Sequence, residues 1–204
     1  EMQFFVKPGE EMKWYEFWKE FRMKWHLALG TPQDKLKFHD HDNLAHYANA
    51  AVDIQFDFPF GFKELEGIHS RTDFDLKSHE SFSGKKMQYF DPEEEKSYIP
   101  YVVETSIGCD RMFLATLSQA LQEETVPDAD GKDSTRTVLK LHPAIAPVKC
   151  AILPLLKNKE ELTQKAKEVF DLLKFSFQCQ YDEKDAIGRR YRRQDAIGTP
   201  YCVT

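Results

Sequence analysis

The most informative segment of the sequence is Val102-Val-Glu-Thr-Ser-Ile-Gly-Cys-Asp-Arg111. It continues an apolar, β-branched run over residues 97–106, which is typical of a strand, and it includes a glycine at position 108. Apolar residues then recur at helical spacing over residues 111–121. The sequence therefore predicts a strand, a tight glycine turn and a helix at this point.

The residues before this segment also predict alternating helices and strands. Residues 10–29 predict a helix, because aromatic residues recur every three or four positions and Gly30 ends the pattern. The stripe formed by Trp14, Trp18 and Trp25 is expected to lie in the core. We also expect strands at residues 52–58 with one buried face, 63–69 and 86–90, a short helix at 44–51, a helix or turn at 72–80, and a polar surface loop at 123–137.

A second structural unit is expected to begin near Pro147. Its pattern of strand, helix, strand, helix, strand at short spacing is typical of a small α/β unit with a parallel or mixed sheet. Asn158 and Glu161 have the spacing of a capping box and predict the start of its first helix. The strands are expected at residues 148–156, 175–181 and 200–203, and the second helix at residues 185–194.

Composition is that of a globular protein. Of the 204 residues, 41% are hydrophobic and 13% aromatic, which excludes disordered and collagen-like sequence and predicts one sizeable domain or two small ones. Four cysteines are too few for a disulfide scaffold, so we expect reduced thiols and a cytoplasmic protein. The most apolar stretch, residues 150–156, is far shorter than the roughly 20 residues that cross a bilayer. Residues 1–20 show no signal-peptide pattern. We expect no membrane association, and we interpret the chain as a piece of a longer one.

The charge of the chain is uneven. The net charge is −6, yet residues 146–204 carry 11 Lys and Arg against 8 Asp and Glu. A mildly basic end on an acidic body points to an anionic partner for the C-terminal unit. Compositional scatter between two domains explains the same charges equally well.

The first candidate site lies in residues 64–76. On a regular strand, Glu64 and Glu66 face one way and Leu65 faces the other. The two carboxylates can then meet a cation or a metal-bound phosphate, and Arg71 is near enough to pair with one of them. The alternative is a solvated strand face with a surface ion pair.

The second candidate site is the strand and glycine turn described first. Glu104 and Ser106 are expected on one face at the end of the strand, and Gly108 permits a ligand to approach the backbone closely. The following helix offers free N–H groups to an anion, and Arg111, one turn into it, can reach a phosphate. The alternative is purely structural, because glycine turns before helices are common.

The third candidate site is a cluster of four arginines around a tyrosine. Guanidinium groups bind phosphate, and both arginine and tyrosine stack on unpaired bases, so RNA is the expected ligand. The alternative is a solvated helix face that pairs with nearby acidic residues. The cluster consists of Arg189, Arg190, Tyr191, Arg192 and Arg193.

The histidines at positions 39, 41 and 46 suggest a metal site only superficially. The cysteines are dispersed, with no Cys-x-x-Cys pair, and structural zinc requires thiolates or a four-ligand set. The sequence also contains no P-loop and no dinucleotide-binding glycine motif. We therefore predict no metal site formed by the protein directly.

Taken together, these segments resemble the glycyl-tRNA synthetases of the single-chain dimeric type. The resemblance implies a class II catalytic domain, an antiparallel sheet flanked by helices, in residues 1–145. It implies a small α/β anticodon-binding domain in residues 146–204, and both domains are expected to be partial. The resemblance extends from end to end and is carried, in order, by Leu44-Ala-His-Tyr-Ala48 and by residues 53–58, 64–76, 100–111, 139–147 and 188–203.

The resemblance also implies an activity. The family uses ATP and Mg²⁺ to activate glycine to glycyl-adenylate, and then transfers glycine to tRNA(Gly). It implies a cytoplasmic homodimer whose partners are glycine and tRNA(Gly), with no role for DNA or a membrane. Glycine is smaller than every competing amino acid, so a tight pocket can reject the others by steric overlap.

Individual residues acquire roles from the resemblance. Arg111 is expected to neutralise phosphate charge and Glu64 to act through magnesium, and these two are the expected catalytic residues. The positions that match the glycine site are Glu1, Arg71, Glu104, Ser106 and Gly108. The positions that match the ATP site are Glu64, Leu65, Gly108, Cys109, Asp110 and Arg111.

The chain also departs from the family pattern. The family's motifs 1 and 2 should lie before Glu1, and the last strands of the anticodon-binding domain should follow Thr204. Thr105 stands where many relatives have proline. We therefore predict that this chain cannot make glycyl-adenylate by itself. The alternatives are a non-catalytic, synthetase-derived module that binds tRNA, and another class II synthetase with the same anticodon-binding domain, which residues 64–76 disfavour.

Overall fold

The first part of the chain is built on a five-stranded antiparallel sheet. A computed structural model describes residues 1–127 and 131–204, and it divides into two compact units, Glu1–Ala115 and Thr116–Thr204. The strands of the first unit are β1 (Met2–Val6), β2 (Leu36–Asp40), β3 (Ala50–Phe58), β4 (Gly61–Thr72), β5 (Tyr89–Asp91), β6 (Lys96–Tyr98) and β7 (Tyr101–Ile107). The large sheet has the order β1-β7-β4-β3-β2, and β5 pairs only with β6.

Helix α1 (Glu11–Ala28) covers one face of this sheet and completes the core. Its most buried side chains are Tyr15, Met23 and His26, whereas Trp14 and Trp18 are only half-buried beside the core. The expected tryptophan stripe is therefore displaced from the centre of the interface. The core residues that the sheet supplies include Val52, Ile54, Phe56, Ile68 and Val103.

Strand β4 contains a β-bulge at Leu65. Ile54 of β3 lies opposite Glu66, and the next residue of β3, Gln55, lies opposite Glu64. Leu65 is therefore an extra residue, and Glu64 and Glu66 point to opposite faces of the sheet. The prediction that the two carboxylates share a face is wrong, because it assumed regular alternation along the strand.

A second bulge lies at Arg71. Val103 of β7 pairs with Ser70, and the next residue towards the start of β7, Val102, pairs with Thr72. Arg71 is the extra residue here, and Thr72 after it has a φ angle of 55°, in the left-handed region. The bulge releases Arg71 from the regular alternation of the strand.

Two local predictions for the first unit are wrong. Residues 44–51 form no helix. The segment is irregular up to Ala50, where β3 begins, and Asn49 N–H donates to the carbonyl of Ser70 on the neighbouring strand. Strand β3 is buried on both faces, since Val52, Asp53 and Ile54 are all buried. The remaining elements of this region, helices α2 (Phe74–Ser83) and α3 (Cys109–Ala120), agree with the expected pattern, and α3 follows Gly108 as predicted.

The second unit combines an antiparallel hairpin with a small parallel sheet. The hairpin consists of β8 (Leu121–Pro127) and β9 (Asp133–Leu139). The parallel sheet has the order β11-β10-β12 and is accompanied by two helices, which confirms the predicted α/β pattern. Its elements are β10 (Cys150–Ile152), α4 (Glu160–Leu173), β11 (Cys179–Tyr181), α5 (Ile187–Ile197) and β12 (Tyr201–Val203).

Some predictions for the second unit also fail. Residues 123–137 were expected to form a polar loop, but they lie mostly in the β8–β9 hairpin, where Glu124 pairs with Arg136 across the strands. Residues 128–130 lie outside the described part of the chain. Helix α4 is preceded by Lys159 with no side-chain cap, so the capping box predicted from Asn158 does not form.

None of the helices described is both long and apolar enough to span a bilayer.

Candidate active site

The large sheet has one polar face, which is the face that points away from α1. Residues that are paired across antiparallel strands share a face, so the register defines two polar rows. The first row contains Gln3 of β1, Glu104 of β7 and His69 of β4. The second contains Ser106 of β7, Gly67 of β4 and Asp53 of β3.

Glu104 lies at the centre of this face. It is 7% exposed, and its carboxylate accepts hydrogen bonds from Gln3 Nε2 at 3.3 Å and from Arg71 Nη1 at 3.4 Å. Nδ1 of His69 lies 3.6 Å from the carboxylate. Gln3 Nε2 also donates to Oε1 of Glu1 at 2.9 Å, so one amide links two carboxylates. The structure thus brings Glu1, Arg71 and Glu104 together.

Arg71 is fixed on two sides. Its Nε and Nη2 donate to the two carboxylate oxygens of Asp75 at 2.7 and 3.2 Å, and the guanidinium lies 4.2 Å from the ring centroid of Tyr47. The hydrogen bonds from Arg71 lower the pKa of Asp75, and the same bonds raise the pKa of Arg71. The bulge and these two contacts aim the third nitrogen of the guanidinium at Glu104.

His69 packs tightly over Gly67. A Cβ atom on Gly67 would lie 2.7 Å from Cε1 of the imidazole, so the ring occupies the space that a side chain would need. Desolvation lowers the pKa of His69, although Glu104 opposes that shift. The lowered pKa favours the neutral form of the imidazole beside Glu104.

The residues expected at the ATP site lie at the start of α3 and on β4. Nη1 of Arg111 donates to the backbone carbonyl of Glu64 at 2.8 Å and lies 3.2 Å from its carboxylate. Both side chains are 53% exposed, and they line a concavity of about 330 Å³. Leu65 is 2% exposed and packs in the hydrophobic core, so the structure does not place it at an accessible surface. Gly108, Cys109 and Asp110 are exposed at the turn.

Glu66 serves the fold rather than this site. Its carboxylate is 1% exposed and accepts hydrogen bonds from Arg22 Nε at 2.5 Å and His26 Nε2 at 2.7 Å, both on α1. Burial alone would raise the pKa of Glu66, but the bonds from His26 and Arg22 outweigh it and the pKa is lowered.

The histidines singled out in the sequence do not converge on a metal. His41 Nε2 lies 2.9 Å from Asp53, and the ring centroids of His41 and His69 are 6.1 Å apart. Within residues 1–127 and 131–204, no group of three or more suitable side chains is arranged to hold a metal ion.

Sequence reasoning missed three residues of the polar face. Gln3, Tyr47 and His69 contact the predicted site residues directly. The period-two alternation of β1 and β4 could have indicated Gln3 and His69, since they lie on the same face as their paired neighbour Glu104. Tyr47 belongs to an irregular segment, for which the sequence contains no comparable signal.

The arginines of α5 have different surroundings. Arg190 is 1% exposed, and its guanidinium donates to three backbone carbonyls, so it is not available to a ligand at the surface. Arg193 pairs with two aspartates of the preceding loop, and Arg192 donates to a backbone carbonyl of β9. Tyr191 is 37% exposed. Arg189 is exposed and has no partner among the residues that the structure describes.

Comparisons with known proteins show which sequences this chain is similar to. A family model described as an anticodon binding domain matches residues 149–204. The glycine–tRNA ligase of Chlorobaculum tepidum is 55% identical over all of this chain, which spans 42% of that protein. Those of Treponema denticola and Ruminiclostridium cellulolyticum are 50% and 49% identical, again over the whole chain and over 46% and 43% of their own lengths. Along its whole length, this chain is similar in sequence to these three glycine–tRNA ligases.

The fold comparison points the same way. A Giardia lamblia prolyl-tRNA synthetase, solved in complex with prolyl-adenylate, has a TM-score of 0.61 to this chain at 18% sequence identity. The match covers 96% of this chain and 38% of the synthetase. The predicted fold, part of a class II synthetase sheet with an anticodon-binding domain, is confirmed. The chain spans less than half the length of the glycine–tRNA ligases to which it is related.

Proposed function

We propose that this chain is part of a glycine–tRNA ligase, in which the polar face of the large sheet binds glycine. The observation that carries the proposal is the environment of Glu104. This carboxylate is buried, yet its two hydrogen bonds are long, at 3.3 and 3.4 Å, so it retains the capacity to accept a charged donor. The ammonium group of an amino acid is such a donor, and Glu1 supplies a second carboxylate beside it.

The size of the site supports glycine in particular. The imidazole of His69 already fills the space beside the Cα of Gly67. Ser106, on the neighbouring strand β7, is paired with Gly67. A side chain on the amino acid would compete with these groups for volume, and a site of this kind excludes larger substrates by overlap.

We propose that ATP binds at Arg111, Glu64 and the backbone of residues 108–110. Arg111 is half exposed and can turn towards a phosphate, where a guanidinium stabilises developing negative charge. The half-exposed carboxylate of Glu64 fits a hydrated magnesium ion, which would supply neutralisation of phosphate charge. Glu104 and Arg111 would then hold the two substrates so that the glycine carboxylate faces the α-phosphorus.

The remaining parts of the proposal concern the longer protein. We assign residues 1–145 to the catalytic domain and residues 146–204 to the anticodon-binding domain. The RNA that this second domain would bind is tRNA(Gly). The family match to residues 149–204 supports the second assignment. The resemblance described above supports a cytoplasmic homodimer.

The proposal is tested by ATP–pyrophosphate exchange in a longer protein that includes this chain, with each of the 20 amino acids supplied singly. We expect exchange with glycine alone, and none from this chain by itself. Glu104→Gln should lower kcat/KM for glycine about 100-fold, because the ammonium loses its charged acceptor. Glu123→Gln, on the exposed part of β8, is the matched control. Folded protein that exchanges with no amino acid would make a tRNA-binding module the better account.

A further inference from the structure

The guanidinium of Arg193 binds the loop between β11 and α5, residues 182–185, at three of its residues. Arg193 donates from Nη2 and Nε to the Asp182 carboxylate at 2.6 and 3.1 Å, and from Nη1 to Asp185 at 2.9 Å. Its Nη2 also donates to the backbone carbonyl of Lys184 at 2.8 Å. Asp185 has a φ angle of 69°, a conformation that non-glycine residues rarely adopt without such support.

The buried guanidinium of Arg190 also donates hydrogen bonds to this loop and to the segment after β10. Its Nη1 donates to the carbonyls of Pro154 and Asp182 at 2.6 and 3.2 Å, and Nη2 donates to that of Leu155 at 3.3 Å. These carbonyls follow the ends of β10 and β11, so one buried side chain joins the carboxyl ends of two neighbouring parallel strands. Ligands of open α/β sheets commonly bind at that edge.

Each acidic side chain of the loop accepts a hydrogen bond from a side chain of α5 or β11. Burial alone would raise the pKa of Asp182, but the hydrogen bonds from Arg193 and from Lys184 N–H outweigh it, so the pKa is lowered. Glu183 accepts a hydrogen bond from the hydroxyl of Tyr181 at 2.7 Å. Glu183 keeps its charge, and the exposed cations of this segment are Lys184 in the loop and Arg189 in the first turn of α5, neither of which has a side-chain partner in residues 1–127 and 131–204.

Building on the proposed function, we propose that Lys184 and Arg189 contact the phosphates of the tRNA, and that Arg190 and Arg193 are positioning residues that shape the loop on which Lys184 lies. RNA is the partner that we propose, because Lys184 and Arg189 are exposed cations without side-chain partners among the described residues, and they lie near the carboxyl ends of β10 and β11 in a segment that matches an anticodon binding domain. The sequence pattern alone treats all four arginines of α5 as equivalent RNA contacts, whereas their surroundings divide them into two classes.

The contact half of the proposal is tested by measuring the affinity of the 204-residue chain for a tRNA(Gly) transcript over a series of salt concentrations. Lys184→Gln and Arg189→Gln should each weaken binding and reduce the slope of log K against log salt by about 0.7 to 1. Lys167→Gln is the matched control, since Lys167 is an exposed lysine of α4 without a partner in the described residues. Slopes and affinities equal to those of the unsubstituted chain, or no binding by that chain, would overturn the RNA contacts.

The positioning half is tested without RNA, by amide hydrogen exchange. Arg193→Gln should increase exchange at residues 183–185 at least tenfold, and Arg193→Lys should not restore protection, because an ammonium cannot reach three acceptors in this arrangement. Lys184→Gln should leave exchange unchanged. Unaltered exchange in Arg193→Gln would overturn the positioning role. If the unsubstituted longer protein showed no ATP–pyrophosphate exchange with glycine, that result would contradict the proposed function. The failure of the proposed function is therefore distinguishable from the failure of the positioning role.

Discussion

Glu66 is the residue on which the attachment of α1 to the sheet depends most directly. Its carboxylate is enclosed by Arg22 and His26, and no water-facing surface remains to compensate for a lost partner. A buried charge of this kind is costly to desolvate, and breaking the arrangement from one side leaves the partners unpaired.

We expect Glu66→Gln to lower the free energy of unfolding by about 3 kcal/mol at pH 7, because Arg22 loses its carboxylate. The folded-state pKa of Glu66 is depressed, so this stabilisation is present above the unfolded pKa of about 4.3 and is lost as the pH falls through the folded value. Urea titrations at pH 7 and pH 3 measure both effects. Glu64→Gln, at a half-exposed position, should cost less than about 0.5 kcal/mol. Equal costs for the two substitutions would contradict the assigned role.

The close packing of His69 against Gly67 predicts that substitutions at these two residues have coupled effects on stability. Gly67→Ala should cost about 1 to 2 kcal/mol, since the new Cβ would lie 2.7 Å from the imidazole. The same substitution should cost clearly less when His69 is already alanine, because the obstructing ring is gone. A double-mutant cycle by thermal unfolding tests this coupling, and simple additivity of the two changes would refute it.

Helix α5 offers a test of how an element ends. Gly198 has a φ angle of 76°, and a Cβ there would lie 2.7 Å from the side chain of Leu141. We expect Gly198→Ala to destabilise the chain by about 2 kcal/mol. Gly188, at the start of the same helix, has open space around it, so Gly188→Ala should be neutral or stabilising by up to about 1 kcal/mol. Denaturant titration of both variants separates the cases, and similar values would show that packing at Gly198 is looser than the structure indicates.

At the scale of elements, the sequence was most informative where the pattern was regular. The strand, glycine turn and helix around Gly108 were predicted correctly, because a β-branched run and a helical period stand next to each other. The bulge at Leu65 was not predictable, because a strand with one extra residue has the same alternating appearance as a regular one. The resemblance assigned both Arg71 and Glu104 to the glycine site, but the hydrogen bond between them, and the bulge that permits it, appear only in the structure.

Helix α5 shows a different limit. Its inward positions are occupied by Arg190 and Gln194, four residues apart, and both are 1% exposed. A polar pair at helical spacing predicts a solvated face, since burial of such groups requires backbone acceptors that the sequence does not reveal. Two of the carbonyls that accept from Arg190 belong to Pro154 and Leu155, which lie 36 and 35 positions away in the sequence.

At the scale of the whole molecule, the division between the units differs from the boundary proposed from sequence. The β8–β9 hairpin is connected to α5 by the ion pair between Arg136 and Asp195 at 2.9 Å and by the bond from Arg192 to the carbonyl of Thr137. These contacts lie within the unit Thr116–Thr204, whereas the boundary at residues 145 and 146, which stays a prediction, would separate them.

We therefore expect a chain of residues 116–204 to be more stable than one of residues 146–204, because the shorter chain loses the hairpin contacts and uncovers Gly198 from Leu141. Urea unfolding followed by circular dichroism should give a higher midpoint for the longer chain. Arg136→Ala in the longer chain should lower the midpoint towards that of the shorter one. Equal midpoints would place the hairpin outside the cooperative unit.

The two bulges of β4 have a consequence for what a single strand can present. Without Leu65 and Arg71, every remaining residue of β4 would keep its partner and its face, so a plain hairpin of the same register needs neither residue. Both positions are nevertheless occupied, and one of them provides the guanidinium beside Glu104. A single extra residue thus changes what a strand presents at one point, a core side chain at Leu65 and a guanidinium at Arg71, and leaves the pairing of its neighbours intact.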